Sequence, residues 1–175
     1  MGILYVGGMM VPNPRGNGYD PYCIEFNARW GDPEAQVVLP GVESDYAELV
    51  LAAVEERLRD VRLEEDGWYR VCLVGAARGY PGDYRAAQGK RIYGMEEAIK
   101  VSDVQIFGAG IEAVDGKFYT KGGRLFSVVG KSPDLFRAYE RACTAMARIH
   151  VEGNNLHWRP DIGWQDRDIL SRSRP

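Results

Sequence analysis

The chain has 175 residues, of which 45% are hydrophobic and 27% are charged, a balance typical of a folded protein of one or two small domains. Its net charge of −3 argues against a general nucleic-acid binder, which needs a basic surface. The apolar runs are too short to span a membrane. Three widely spaced cysteines predict neither a disulfide framework nor a zinc pair. We therefore expect a cytoplasmic protein with no nucleic-acid or membrane partner.

The chain opens with the pattern of a β-hairpin. Residues 3–11 and 22–28 have the composition of strands, and residues 12–18 between them are dense in Pro, Gly and Asn. Such turn-forming residues between two apolar runs indicate a connecting loop. The first 30 residues are therefore predicted to form two strands joined by a long loop.

Two helices are predicted next. Residues 33–39 form a short helical segment that Pro40 ends, and residues 46–58 carry apolar side chains at helical spacing. Either Ser44 or Asp45 can cap the second helix, and Asp45 lies three residues before a glutamate, as in a capping box. The charged residues that follow are typical of a solvated linker.

The second half of the chain predicts antiparallel strands and one further helix. A strand is expected over residues 68–76, and a hairpin is expected between residues 104–114 and 117–129. Asp115-Gly116 lies between the two arms, and Asp-Gly is the strongest short hairpin signal. Ser132-Pro133 is expected to open the helix, because proline is favoured at the first helical position.

Polar residues alternate along the second strand. Side chains of a strand point to opposite faces in turn, so Glu25, Asn27 and Arg29 share one face. A carboxylate and an amide are hard oxygen ligands suited to Mg²⁺, and a guanidinium can fork onto phosphate oxygens. The same spacing also fits a strand with one wet face. The opposite face, which we expect to join a core, comprises Ile24, Phe26 and Ala28.

Residues 25–36 read EFNARWGDPEAQ, and this run resembles the signature of glycinamide ribonucleotide synthetase, also called phosphoribosylamine–glycine ligase. Trp30 stands where that family usually has Phe or Leu. The resemblance continues with GYPGDY at 79–84, GGR at 122–124 and DIG at 161–163, in the family's order. It covers about residues 2 to 164 and matches the carboxyl-terminal part of that enzyme.

The resemblance implies an activity and a set of site residues. The family joins glycine to 5-phosphoribosylamine with ATP, through glycyl phosphate, in de novo purine synthesis. Glu25 and Asn27 match its ligands for Mg²⁺ or Mn²⁺, and Arg29 matches the residue that holds the reacting phosphoryl group. Gly31 and Asp32 match substrate-binding positions of the same motif.

Gly122-Gly123-Arg124 allows two interpretations. Paired glycines often serve a left-handed turn or a bulge. By resemblance, the same loop presents Arg124 to the ribose phosphate of the substrate. Two departures bear on this region: residues 106–111 lack the His and Thr that the family usually has there, and residues 154–158 replace an aromatic stretch.

These patterns together predict an α+β chain in two parts with a polar tail. The family that the chain resembles has an ATP-grasp fold, so by resemblance residues 1–60 are expected to be the closing piece of an ATP-grasp domain. Residues 61–165 are expected to form a small antiparallel-sheet domain with a packing helix, and residues 166–175 the tail. No lysine precedes Lys90, and no phosphate-binding loop of the pattern Gly-x-x-x-x-Gly-Lys-Ser/Thr is present, so a complete ATP site is not expected.

We therefore expect the chain to need partners. Without the absent half, the edge of the first sheet is expected to be unpaired and apolar side chains such as Ile3, Tyr5 and Phe26 to be uncovered. The expected partner is a separately encoded amino-terminal half, or a second copy in a homodimer through this exposed sheet. Two further functions stay open: a fragment of another ATP-grasp carboxylate–amine ligase, and a non-catalytic remnant that binds a ligand or a protein.

Overall fold

The structure of the protein is a computed structural model that describes residues 2–164. The chain is a mixed α/β protein with antiparallel sheets, and it divides into two compact units, Met1–Asp66 and Gly67–Pro175. The sequence analysis places this boundary at residue 60, and its polar tail, 166–175, lies outside the described residues. Among the described residues, no helix has the length and apolar character needed to cross a bilayer.

The first unit begins with a two-stranded antiparallel hairpin. Strand β1 spans Tyr5–Pro12 and strand β2 spans Tyr19–Asn27, and the amide of Asn13 donates to the Gly18 carbonyl at 3.0 Å to close the loop. Opposite the step from Gly7 to Gly8, the ladder skips one residue of β2. The predicted hairpin is confirmed, with a β-bulge that the sequence did not indicate.

Two helices complete the first unit. Helix α1 spans Glu34–Val38 and continues as a 3-10 turn, Leu39–Gly41, and helix α2 spans Tyr46–Val54. The Asp45 carboxylate caps α2, accepting from the amides of the second and third residues after it. The helix ends four residues before the predicted Leu58, because Glu56 adopts a left-handed φ of 60°, which an α-helix cannot include. A separate 3-10 turn covers Leu58–Asp60.

The second unit contains two four-stranded antiparallel sheets. The first sheet has the order β10-β3-β8-β5, with β3 at Tyr69–Ala77, β5 at Val104–Gly108, β8 at Arg124–Ser132 and β10 at Leu156–His157. The second has the order β6-β7-β4-β9, with β4 at Arg91–Tyr93, β6 at Ile111–Val114, β7 at Lys117–Thr120 and β9 at His150–Val151. The short helix α3, Met95–Ala98, and a 3-10 turn, Arg85–Ala87, lie between strands.

The long hairpin predicted over 104–129 is wrong in one respect. Its turn at Asp115-Gly116 is present, but each arm breaks, so β5 and β8 pair in one sheet while β6 and β7 pair in the other. The break lies where Gly110 and Gly122 cross: a Cβ on Gly110 would lie 2.7 Å from the Gly122 Cα. Only residues without side chains permit this approach, so the glycines mark a corner between two sheets.

Helix α4, Leu135–Met146, packs on the first sheet against β3, β5 and β8. The predicted start at Ser132-Pro133 is wrong: Ser132 ends β8, and Asp134 caps the helix by accepting from the Arg137 amide at 3.0 Å. Small residues let helix and sheet meet, since a Cβ on Gly130 would lie 2.6 Å from the Ala142 amide nitrogen. The core between these layers includes Leu73, Leu125, Phe126, Val128, Ala138 and Met146, all fully buried.

Replacing Gly130 by Ala should destabilise the second unit. The added methyl group would overlap the backbone of α4, and such overpacking costs about 1–3 kcal/mol. Urea unfolding followed by circular dichroism measures the free energy of unfolding. Thr144→Ala, on the exposed side of the same helix, is the matched control and should change it by less than about 0.5 kcal/mol. Equal effects of the two substitutions would contradict the packing argument.

Candidate functional site

The register of the β1–β2 ladder determines which side chains meet. Glu25 lies opposite Gly7, and Asn27 lies opposite Tyr5, with no bulge between these pairs. Residues two apart on a strand share a face, as do residues directly opposite each other. Glu25, Asn27 and Tyr5 therefore lie on one face of the hairpin, as the alternation predicts for the first two.

The other face of the hairpin differs from the expected core. Phe26 is 67% exposed, and its cross-strand neighbour Val6 is 50% exposed. Ile24 and Ala28 are exposed as well. The expectation that this face joins a core is therefore wrong within the described residues, and the expectation that Phe26 is uncovered is confirmed. The expected exposure of Ile3 and Tyr5 is also wrong: both are half-buried.

Arg29 lies outside the strand on which the alternation places it with Glu25 and Asn27. Strand β2 ends at Asn27, so Arg29 belongs to the bend that follows, where its guanidinium donates to the Trp30 carbonyl at 2.9 Å. Trp30, the departure from the family motif, donates from its indole nitrogen to the Tyr46 hydroxyl at 2.9 Å. This bond attaches the bend to the start of α2.

Gly31 and Asp32 form the turn that leads into α1. Gly31 is buried, and its carbonyl accepts from the backbone amide of Ala35 at 3.0 Å. The Asp32 carboxylate accepts from the side-chain amide nitrogen of Gln36 at 3.1 Å. The turn is thus tied to α1 by one backbone and one side-chain bond. Its Asp32 carboxylate is exposed and its orientation is fixed by Gln36.

Glu34 is a site residue that the sequence analysis did not single out. Its carboxylate accepts a hydrogen bond from the Tyr5 hydroxyl at 3.3 Å and lies directly over Gly31, where a Cβ would be 2.5 Å from Glu34 Cδ. The signal was present in the sequence: a glutamate three residues after a glycine, at the first position of a helix. A role for it could not be read from that spacing alone.

Three charged groups act on the Tyr5 hydroxyl. The pKa of Tyr5 is raised above its ordinary value, first by the negative charge of Glu34, then by burial, by the hydrogen bond to Glu34 and by the charge of Glu25. The positive charge of Arg29 opposes these effects. The geometry agrees for the two carboxylates: Glu34 bonds the Tyr5 hydroxyl at 3.3 Å, and a Cβ on Gly7 would lie 3.1 Å from Glu25 Cγ and 3.7 Å from that hydroxyl.

The residues at this face suit a divalent cation that is shared with a second ligand. The Asn27 side-chain nitrogen is buried and has no hydrogen-bond partner among the described residues. An unsatisfied buried N–H donor costs free energy, and an oxygen acceptor at this position, such as a phosphate, would remove that cost, whereas a cation would not. No group of three or more His, Cys, Asp or Glu side chains able to hold a metal occurs in residues 2–164. Mg²⁺ fits such a place, because it binds through few protein oxygens plus phosphates.

Arg124 belongs to the second unit. It starts β8 opposite Ala76, and its side chain is exposed. The preceding Gly123 lies under the Tyr80 ring, since a Cβ there would be 2.5 Å from Tyr80 Cε2. The Gly122 carbonyl accepts from the Gln88 amide at 3.2 Å. The glycines therefore form a closely packed corner beside Arg124. Neither has the left-handed φ that the structural interpretation expects, and the bulge of the β3–β8 ladder lies after Arg124, not at the glycines.

The sequence profile of the family described as "Phosphoribosylglycinamide synthetase, C domain" matches residues 70–165. Phosphoribosylamine–glycine ligase from Caldanaerobacter subterraneus is 37% identical over 92% of this chain and 36% of its own length. The trifunctional purine biosynthetic protein adenosine-3 from Gallus gallus is 36% identical over 99% of this chain and 16% of its own.

A solved structure agrees with these sequence relatives. The crystal structure of phosphoribosylamine–glycine ligase from Thermotoga maritima superposes with a TM-score of 0.60 at 31% identity, covering 87% of this chain and 35% of that one. The chain therefore spans about a third of the length of the single-function relatives that it matches.

Replacing Glu34 by Gln should lower the pKa of Tyr5 toward its ordinary value of about 10, because the largest cause of the shift is removed. Arg29→Gln should raise it further. Nuclear magnetic resonance (NMR) titration of ¹³C-labelled tyrosine Cζ atoms measures both, with Tyr19 at the far end of the hairpin as the reference that neither substitution changes. A Tyr5 titration that Glu34→Gln leaves unchanged would contradict the geometry.

The same shift predicts how stability depends on pH. Because the folded-state pKa of Tyr5 lies above its unfolded value, the neutral phenol contributes stability that is complete below about pH 10 and is lost as pH rises through the folded pKa.

Proposed function

We propose that this chain, which belongs to the phosphoribosylglycinamide synthetase C-domain family, supplies the carboxyl-terminal part of a phosphoribosylamine–glycine ligase. The reaction joins glycine to 5-phosphoribosylamine and converts ATP to ADP and phosphate, as a cytoplasmic step of purine synthesis. The family match over residues 70–165 carries this proposal. The three cysteines are free thiols, which is in keeping with a reducing compartment.

The polar face of the hairpin would serve the ATP half of the reaction. Glu25 and Asn27 would hold Mg²⁺ or Mn²⁺, which when bound neutralises charge on the phosphate oxygens of ATP. Arg29 would bind the transferred phosphoryl group, because its guanidinium matches phosphate geometry and remains charged. Stabilising the charge that spreads over a phosphoryl group is the main contribution a protein makes to its transfer.

The turn and the second unit would bind the other substrates. Gly31 and Asp32 would contact the glycine substrate: the carboxylate that Gln36 orients is suited to an ammonium group. Arg124 would bind the ribose phosphate of 5-phosphoribosylamine, because arginine forks onto phosphate oxygens and the packed glycine corner fixes its backbone. These assignments rest on the motif positions and on the contacts described above.

The first unit would be the closing piece of an ATP-grasp domain, with residues 1–60 in the first domain and residues 61–165 in the second. Its exposed apolar surface supports a covering partner. The hairpin presents Leu4, at 69% exposure, with Val6 and Phe26. An apolar groove of about 490 Å³ runs along α2 between Val38, Tyr46, Leu49 and Val54. Apolar patches of this kind mark interfaces.

We propose that the ATP-binding remainder of the ligase covers these surfaces, either as a separately encoded amino-terminal half or as a covalent neighbour. Relatives carry nearly two thirds of their length outside the part that this chain matches. A homodimer through the same hairpin is the competing arrangement, and the experiments below distinguish it.

The purified chain alone should show no ligase activity, and activity should appear when it is combined with the ATP-binding remainder of a phosphoribosylamine–glycine ligase. In that assembly Glu25→Ala should lower kcat by about 100-fold or more, since removing a group that stabilises transferring charge costs roughly that much. Glycine- and 5-phosphoribosylamine-dependent ADP release measures it. Glu43→Ala, an exposed glutamate of the same unit, is the control.

The outcomes separate the remaining functions. ADP release that depends on a different carboxylate or amine would indicate another ATP-grasp ligase. Binding of the remainder without turnover would indicate a non-catalytic protein. Glycine-dependent ADP release by the purified chain alone would contradict the need for a partner.

Hydrogen exchange should show the first hairpin to be the less protected part of the isolated chain. Residues 3–11 and 22–28 form only two strands, and an isolated hairpin is marginally stable in water, whereas residues 104–129 lie in four-stranded sheets with a buried β8. Mass-spectrometric exchange, repeated at several chain concentrations, measures the difference.

Protection of the hairpin that increases with concentration would indicate the homodimer. Equal protection of both regions in a monomer would refute the proposal that the hairpin needs a cover.

A further inference from the structure

A hydrogen bond that the metal and phosphate assignments do not use connects β1 with the first residue of α1, which follows the Gly31–Asp32 turn. The Tyr5 hydroxyl donates to Glu34 Oε1 at 3.3 Å across 29 residues of sequence. Both side chains are half-buried. The bond therefore joins the strand opposite Asn27 to the segment that carries Gly31 and Asp32.

Two glycines make room for this pair. At Gly31 a side chain would overlap the Glu34 carboxylate, with Cβ only 2.5 Å from Glu34 Cδ. At Gly7 a Cβ would lie 3.1 Å from Glu25 Cγ and 3.7 Å from the Tyr5 hydroxyl. Tyr5 thus has Glu25 near it on one side and Glu34 bonded to it on the other, and each contact uses space that a missing side chain leaves.

The Glu34 carboxylate is held between two fixed groups. The Tyr5 hydroxyl binds it from the hairpin, and the Gly31 backbone contacts it from the turn. The turn itself is closed by the bond from the Ala35 amide to the Gly31 carbonyl. Moving Tyr5 or Glu34 would therefore move Gly31 relative to the ladder that carries Glu25 and Asn27.

We infer that Tyr5 and Glu34 are positioning residues, whose hydrogen bond holds the Gly31–Asp32 turn in place beside Glu25 and Asn27. Neither is a catalytic residue in this scheme. Their effect is to hold the backbone of the turn at one position relative to the ladder, while the strand pairing itself sets the polar face of β2. A role of the turn in binding glycine rests on the proposed function. The coupling of Tyr5 and Glu34 to the Gly31–Asp32 turn does not depend on that function.

The coupling can be tested on the purified 175-residue chain without any activity. Tyr5→Phe and Glu34→Ala should each shift the ¹H–¹⁵N resonances of Gly31 and Asp32, and the double variant should shift them no further, because both substitutions remove the same bond. Glu34→Gln should remain close to the unsubstituted chain, since its amide oxygen still accepts from Tyr5. Tyr19→Phe, an exposed tyrosine of the same hairpin, is the control.

Three results would overturn the inference. Unchanged Gly31 and Asp32 resonances in Tyr5→Phe would show that the bond does not hold the turn. Additive shifts in the double variant would show two independent effects. An effect of Glu34→Gln as large as that of Glu34→Ala would assign the role to charge. If Tyr5→Phe unfolds the hairpin, the comparison of Glu34→Gln with Glu34→Ala in the Tyr5-containing chain decides the same question.

The assembled ligase supplies a second readout. Tyr5→Phe should raise the KM for glycine about fivefold, the size of one ordinary hydrogen bond, and leave the KM for ATP unchanged. A rise confined to ATP would overturn the assignment of the turn to glycine. If the assembly shows no ligase activity while the Gly31 resonances respond as expected, the proposed function fails and the positioning pair stands.

Discussion

The register of the β1–β2 ladder is the constraint on which the candidate site depends. Gly7 lies opposite Glu25 and Tyr5 lies opposite Asn27, so the side chains of Glu25, Asn27 and Tyr5 lie on one face of the hairpin. A shift of one residue would send all of them to the other face. The bulge immediately before Glu25 pins this register, because bulges re-aim side chains at defined positions. The positions of the site's side chains therefore depend on the pairing of these two strands.

The two units differ in how they are stabilised. In the second unit, residues 125–130 of β8 are buried throughout and α4 approaches the sheet closely at Gly130, so its core is complete within the chain. The first unit leaves Leu4, Val6 and Phe26 half-exposed or more, which forgoes part of the roughly 1.5–3 kcal/mol that full burial of such a side chain contributes. The unit that carries the Glu25 face is thus the one with the less complete core.

Local patterns in the sequence were sufficient where the structure depends on local chemistry. The hairpin, the Asp45 cap and the turn at Asp115-Gly116 follow from turn formers, capping spacing and alternation, and strand alternation alone places Glu25 and Asn27 on one face. The strands β4, β9 and β10 were missed because two or three residues carry no periodicity.

The errors arose where distant residues decide the outcome. The corner that divides the hairpin predicted over 104–129 depends on the contact between Gly110 and Gly122. The sequence around each glycine does not indicate that the other will lie against it. Glu34 was overlooked for the same reason, since its partner Tyr5 lies 29 residues earlier. The apolar face of β2 was assigned to a core because its side chains alternate correctly, but alternation shows which residues share a face and not what covers them.

Covering the hairpin and forming the site are linked if the proposed partner exists. A partner that binds only the ordered hairpin stabilises that state in proportion to its concentration over its Kd, and the same ordered state is the one in which Tyr5 reaches Glu34. A cation or nucleotide that binds the Glu25 face then also favours the partner, because coupling between two binding events is reciprocal. With such a partner, the exposed apolar face and the polar face of this two-stranded ladder would belong to a single equilibrium, in which binding at either face favours the ordered hairpin.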